Sequence, residues 1–160
     1  MAETKKPPLE GDQLYIGTPN GVVICVDGLR DGLPAGRFWH AHGAEAFPLR
    51  SFGDMALSLE EYFNAIQFPR AATNDRHFRE AAPHEAHISA ERLLSDGELL
   101  EKRGELATFI LRVQQRENST WQGRLTWEEK NSTRSFRSLI GLLQLLESAI
   151  RRAAEEKEGA

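Results

Sequence analysis

Slid along itself by 87 residues, the chain meets its own pattern. The stretch VVICVDGLRDGLPAGRFWHAHGAEAFPLRSF (residues 22 to 52) lies on FILRVQQRENSTWQGRLTWEEKNSTRSFRSL (109 to 139) without a gap. Val26 meets Val113, Gly36-Arg37 meets Gly123-Arg124, and Arg50-Ser51 meets Arg137-Ser138; Val22, Ile24, Phe38 and Phe52 fall on Phe109, Leu111, Leu125 and Leu139. A repeat restricts a fold strongly, because each copy must be one supersecondary unit and the copies must bury each other's apolar faces.

Each copy reads as three strands and a helix. In the second, Phe109, Leu111 and Val113 alternate with Ile110, Arg112 and Gln114, the period of a half-buried strand. RENST breaks it, WQGRLTWEE resumes the alternation, KNST turns, RSFRS makes a short strand, and LIGLLQLLESAIRR forms a helix whose Leu139, Leu142, Leu143, Leu146 and Ile150 share a face. The first copy predicts strands near 22–27, 36–41 and 46–51, then a helix carrying Leu59, Tyr62, Phe63 and Ile66. Ser58 with Glu61 has the form of a capping box, with Leu57 as its staple. An additional strand, QLYIG, precedes this copy through the turn TPNG.

The expected fold is therefore α+β, a tandem pseudo-twofold βββα repeat with antiparallel sheets and one helix per copy. Residues 1–12 are a polar tail, 13–68 the first copy, 69–105 a polar connector, 106–152 the second copy and 153–160 a fraying tail. A short helix is expected in the connector from Ser95 to Arg103. A three-stranded sheet with one helix is marginal alone, so the copies are expected to share a core. Ile140 and Leu145 lie off the main stripe of the last helix, which is either buried between the copies or makes a homodimer contact.

Among 160 residues, 40% are hydrophobic and 28% charged, with a net charge of -4, so no global field attracts nucleic acid or an anionic membrane. No apolar run reaches the roughly 20 residues of a membrane span. The polar start has no secretory pattern and Cys25 has no partner for a disulfide, which together point to the cytoplasm. Cys25 sits in an apolar run and reads as packing.

Candidate site residues are few. Trp121 and Trp127 share one strand face with Leu125, which makes them core or core-edge residues in preference to a stacking platform. Carrying Trp127 back by 87 residues lands on His40, which is expected to face inward. His40 with His42, and His84 with His87, are weak metal-ligand candidates, for there is neither a cysteine pair nor an HExxH motif. Arg37 and Arg124 point away from Phe38 and Leu125 and, with Arg112, are expected to line an exposed sheet face. Arg50 and Arg137 sit where a strand hands over to a helix, either tying chain ends together or contacting an anionic partner. No motif calls for a cofactor or for catalysis.

Residues 109–150 resemble a group of small, mostly uncharacterised proteins of anaerobic gut bacteria. Their pattern runs F-x-V-x-V-Q-x-R-x-N-x-T-W-Q-G-x-x-x-W, then F-R-S-x-x-E-L-x-x-L. Arg116, Asn118, Thr120, Trp121, Gln122, Gly123, Trp127, Phe136, Arg137 and Ser138 match it, while Gly141 and Leu142 depart from its E-L. The first half, from YIGTPNGVVICVDGL to QFPR, is similar to the longer members. The resemblance implies a bacterial cytoplasmic protein and carries over no activity.

These features favour a non-enzymatic binding or adaptor protein that meets a macromolecule, a protein first, through Arg37, Arg50, Arg112, Arg124 and Arg137. A nucleic-acid-binding regulator or inhibitor is the alternative, and a metal-dependent enzyme built on the four histidines comes third.

Overall fold

The computed structural model describes residues 16, 18–71 and 91–159. The chain runs β1 (Val22–Arg30), β2 (Leu33–His40), β3 (Phe47–Leu49), α1 (Phe52–Ile66), α2 (Asp96–Leu100), β4 (Ala107–Gln115), β5 (Gln122–Trp127), a 3-10 turn (Glu128–Lys130), β6 (Ser132–Phe136) and α3 (Leu139–Gly159). The expected leading strand QLYIG falls outside the described residues except for Ile16, which is buried.

All six strands belong to one antiparallel sheet, in the order β3-β2-β1-β4-β5-β6. The expected pair of sheets is thus replaced by a single one, because β1 and β4 pair directly. Val22, Ile24 and Val26 with Phe109, Leu111 and Val113 face one side, where α1 contributes Met55, Leu59 and Phe63 and α3 contributes Leu142, Leu146 and Ile150. The opposite residues, Val23, Cys25 and Ile110, are covered by Ile16, Ala41 and Leu99, with Leu94 and Leu100 at the margin. Double coverage explains why VVICV is apolar without alternation. Among the described residues, no helix is long and apolar enough to cross a membrane.

The pairings of the two halves correspond number for number. Val22↔His40 in the first is Phe109↔Trp127 in the second, and Gly36↔Leu49 is Gly123↔Phe136, each 87 residues on. β1 shifts register between Val26 and Gly28, and β4 between Val113 and Gln115. α1 begins after Ser51, whose Oγ accepts the Asp54 N–H at 3.0 Å; Ser138 Oγ accepts the Gly141 N–H at 2.9 Å at the start of α3. At the centre, Val23 pairs with Ile110.

Two local expectations differ. Ser58 does not cap a helix: Ser51 satisfies the first-turn donors seven residues earlier, leaving Ser58 inside α1 and Leu57 72% exposed instead of forming a staple. In the connector, α2 spans five residues, and Ser95 and Glu98 bond reciprocally across its first turn.

Gly36 and Gly123 sit beside the two register shifts. A Cβ at Gly36 would collide with the Cys25 carbonyl oxygen, and one at Gly123 with that of Arg112. Close backbone approach therefore requires glycine at both positions. Gly36→Ala and Gly123→Ala are each expected to lower the unfolding free energy by about 1–3 kcal/mol, as for other overpacked positions. Gly28→Ala, whose Cβ meets open space, is expected to stay within about 0.5 kcal/mol of the parent. Urea titrations read all three.

Candidate functional site

Apart from Trp127, the motif residues from Arg116 to Ser138 gather at one end of the sheet, and most of their polar atoms are engaged. Arg116, with a side chain only 3% exposed, follows β4 and turns back beneath the C-terminal part of α1. Its Nε donates to the Pro69 carbonyl at 2.6 Å, and NH1 donates to Glu60 Oε2 at 3.0 Å and Asn64 Oδ1 at 2.8 Å. The guanidinium lies 5.7 Å from the Phe63 ring centre. The other Glu60 oxygen accepts the Trp121 Nε1–H at 2.8 Å, and the indole packs edge-on against Phe63. One carboxylate thus joins two elements of the second half to the helix of the first.

The rest of the motif builds the turn and the start of α3. Asn118 holds a left-handed backbone at φ 58°. Thr120 Oγ1 accepts the Leu139 N–H at 2.8 Å, while Gln122 accepts from the Glu117 N–H and donates to the carbonyls of Glu117 and Arg137. Trp127 and Arg137 stand apart. Trp127 is half-buried beside Phe109, its Nε1–H is buried without a hydrogen-bond partner, and its ring lies 5.6 Å from the Lys130 ammonium. It borders an open cleft of about 400 Å³ with Leu106 and Ala153 as apolar walls and Glu105, Glu129 and Glu156 at the rim.

His40 is buried, as its place in the alternation suggests. Its ring stacks on Tyr62 at 3.7 Å between centres and on Phe47 at 4.7 Å, and Nδ1 accepts the His42 N–H at 3.2 Å. Burial, reinforced by His42, pushes the imidazole down to about 3. The Tyr62 hydroxyl is buried without a hydrogen-bond partner, and burial holds its proton far more tightly than in water. His40 thus serves as a neutral aromatic spacer. Among the described residues, no three His, Cys, Asp or Glu side chains are placed to hold a metal ion; His84 and His87 lie outside them.

The sequence-selected arginines separate into two groups. The face expected to be exposed is covered at its centre, so Arg37 and Arg112 are half-buried there. Arg37 bonds Asp27 at 2.7 Å and the Arg103 carbonyl at 2.9 Å. Arg112 donates to the Ile16 carbonyl at 2.6 Å and to Thr126 Oγ1 at 3.0 Å. Burial loosens its proton, with Glu128 opposing that effect and Arg124 adding to it. Arg50 is exposed, with Asp54 at 3.9 Å.

Arg124 and Arg137 are exposed, and among the described residues neither forms an ion pair. Arg134, not among the arginines the sequence singles out, is exposed as well and forms no ion pair among the described residues. Its signal was its place in RSFRS, the segment read as a short strand. These three arginines surround β6.

Cys25 is buried, and burial pushes its thiol up to about 11, so it has no nucleophilic character at neutral pH. No protein family, curated protein or solved structure matches the chain.

Arg116→Ala leaves Glu60 without its cation and two acceptors without their donor. It is expected to lose about 3–5 kcal/mol of unfolding free energy in denaturant titrations. His40 supplies a pH dependence. The unfolded chain binds its proton below the ordinary histidine value of about 6.5, whereas the fold resists protonation down to about 3. Stability is therefore full above about pH 6.5 and declines below it by up to about 1.4 kcal/mol per pH unit. His40→Phe, which retains a stacked ring, is expected to flatten the profile between pH 6.5 and 5; an unchanged slope would assign the acid sensitivity elsewhere.

Proposed function

We propose that this chain is a non-enzymatic binding protein whose docking surface is the β5–β6 end of its sheet, and that its partner is an acidic protein. The carrying observation is the distribution of arginine partners. Arg37, Arg50, Arg92, Arg103, Arg116, Arg151 and Arg152 each face a carboxylate; among the described residues Arg124, Arg134 and Arg137, on two adjoining strands and their exit, face none, and Arg30 and Arg70 also face none but stand singly elsewhere. Arg124 also stands directly across from Arg112, a like-charge cross-strand pair that is unfavourable until an anion arrives. On a chain of net charge -4, unpaired cations collected at one edge favour specific contact over bulk attraction to polyanions.

The architecture behind this surface is, in our reading, a tandem pseudo-twofold βββα repeat whose axis passes the Val23–Ile110 pair. The equal registers, the two bulges and the two serine caps support it. The copies have diverged at their hairpins: Arg116 corresponds to Leu29, and Trp121 to Pro34. Only the second copy therefore carries Arg116 and Trp121, and Arg134 where the first has Phe47, while Arg124 and Arg137 recur as Arg37 and Arg50.

The test replaces Arg124, Arg134 and Arg137 together with glutamine. Fluorescence anisotropy with labelled polyglutamate is expected to show at least tenfold weaker binding by the variant, with its melting temperature unchanged, since exposed substitutions stay within about 0.5 kcal/mol. DNA or RNA binding that weakens steeply with salt, in place of polyglutamate binding, would make the partner a nucleic acid. Equal binding by parent and variant would remove the surface from consideration.

A further inference from the structure

We propose that β6 is a docking edge that takes an additional antiparallel strand from the partner, and that this strand carries two consecutive carboxylates, one for each face of the sheet. The inference rests on the acidic-protein reading above and specifies how that partner binds.

The two edges of the sheet are not alike. β3 is three residues long with Pro48 at its middle, a short and interrupted edge of the kind that resists extension. β6 runs five residues, Ser132–Phe136, and pairs with β5 in continuous register from Trp127↔Ser132 to Gly123↔Phe136. It contains neither proline nor glycine, and Thr133, Arg134 and Ser135 are exposed. Its outer backbone groups form a row that another strand can bond. An edge of this kind usually carries its own protection; here the only charge on the strand is Arg134.

Side-chain alternation fixes the chemistry of the incoming strand. Arg134 stands on the helix-bearing side, in line with Leu125. Ser135 stands on the other side, in line with Arg124 and then Arg112. A residue opposite Arg134 meets its guanidinium directly. The adjacent residue points to the opposite face and lies opposite Ser135, whose small side chain leaves Arg124 free to reach across. Arg137, just past the end of β6, adds a further exposed cation at this edge. Neighbouring acidic residues on the guest therefore find cations on both faces, whereas acidic residues separated by one position place both charges on one face.

A second copy of this chain fits poorly. β6 paired with itself about Arg134 sets two guanidiniums opposite each other, a destabilising cross-strand pair, and shifting the register shortens a ladder of only five residues.

The test uses the full chain and blocked heptapeptides of threonine and valine in three designs. One has two consecutive central glutamates, one has glutamates separated by a valine, and one repeats the first with alternate amides N-methylated, prepared in both alternations. Calorimetry is expected to show the consecutive-glutamate peptide binding at least tenfold more tightly than the separated one. It should also slow hydrogen exchange of the β6 amides, and one of the two N-methylated forms should fail to bind. If both N-methylated forms bind as well as the parent peptide, strand addition is overturned while the arginine surface stands, because charge alone then accounts for binding. If no peptide binds but polyglutamate does, strand addition again fails alone; if polyglutamate also fails, both readings fall. Protection of β6 that rises with protein concentration in the absence of peptide, or that appears only with an oligonucleotide, would assign the edge to a second copy or to nucleic acid and overturn the proposal.

Discussion

The pairing of β1 with β4 is the contact on which the remaining architecture depends. Without it each half is a three-stranded sheet with a helix, too small to bury the apolar side it presents. With it, ten residues from Val22 to Val26 and Ala107 to Leu111 become the middle of a six-stranded sheet and all are buried. α1 and α3 then share a core, and Val23, Cys25 and Ile110 acquire their own cover from the connector. The sheet edges fall to β3 and β6, and β6 keeps three of its five residues exposed.

Buried polar groups divide into those that join elements and those that only occupy space. Glu60 and Arg116 belong to the first kind, since every contact they make crosses between halves or to the segment after α1. His40 and Tyr62 belong to the second: the rings stack in parallel, and the ionisable atoms are kept neutral by burial. The motif residues around Trp121 thus account for hairpin geometry and helix capping, leaving Arg137 as the member turned outward.

The strands and long helices were legible because local signals agree with the final packing. Phe109, Leu111 and Val113 alternate, the α3 stripe is unbroken, and WQGRLTW resumes the period after a turn. The offset of 87 residues also placed His40 and Trp127 on the same inward row, and both are on the core side. Other features were not legible. Whether three-stranded units stack or join at their edges depends on VVICV being covered twice, and the second cover comes from residues remote in sequence, Leu94, Leu99 and Leu100. Arg116 and Glu60 lie in unrelated local patterns and meet only through the fold. Arg37 and Arg112 were placed on the correct side of their strands, but alternation cannot report that the side is covered. Ser58 satisfied a capping pattern that Ser51 had already made redundant.

The order of the strands has a further consequence for assembly. Four of the five ladders join strands that are neighbours in sequence, whereas β1 and β4 are separated by the whole of the first helix and the connector. Loop-closure entropy is therefore concentrated in a single event, the meeting of two hairpin units formed early from local contacts. Opening the chain between residues 72 and 90 would turn that event from intramolecular to bimolecular without removing a hydrogen bond from any of those ladders. The folding rate would then depend on concentration, and the two fragments would be complementary halves of one sheet.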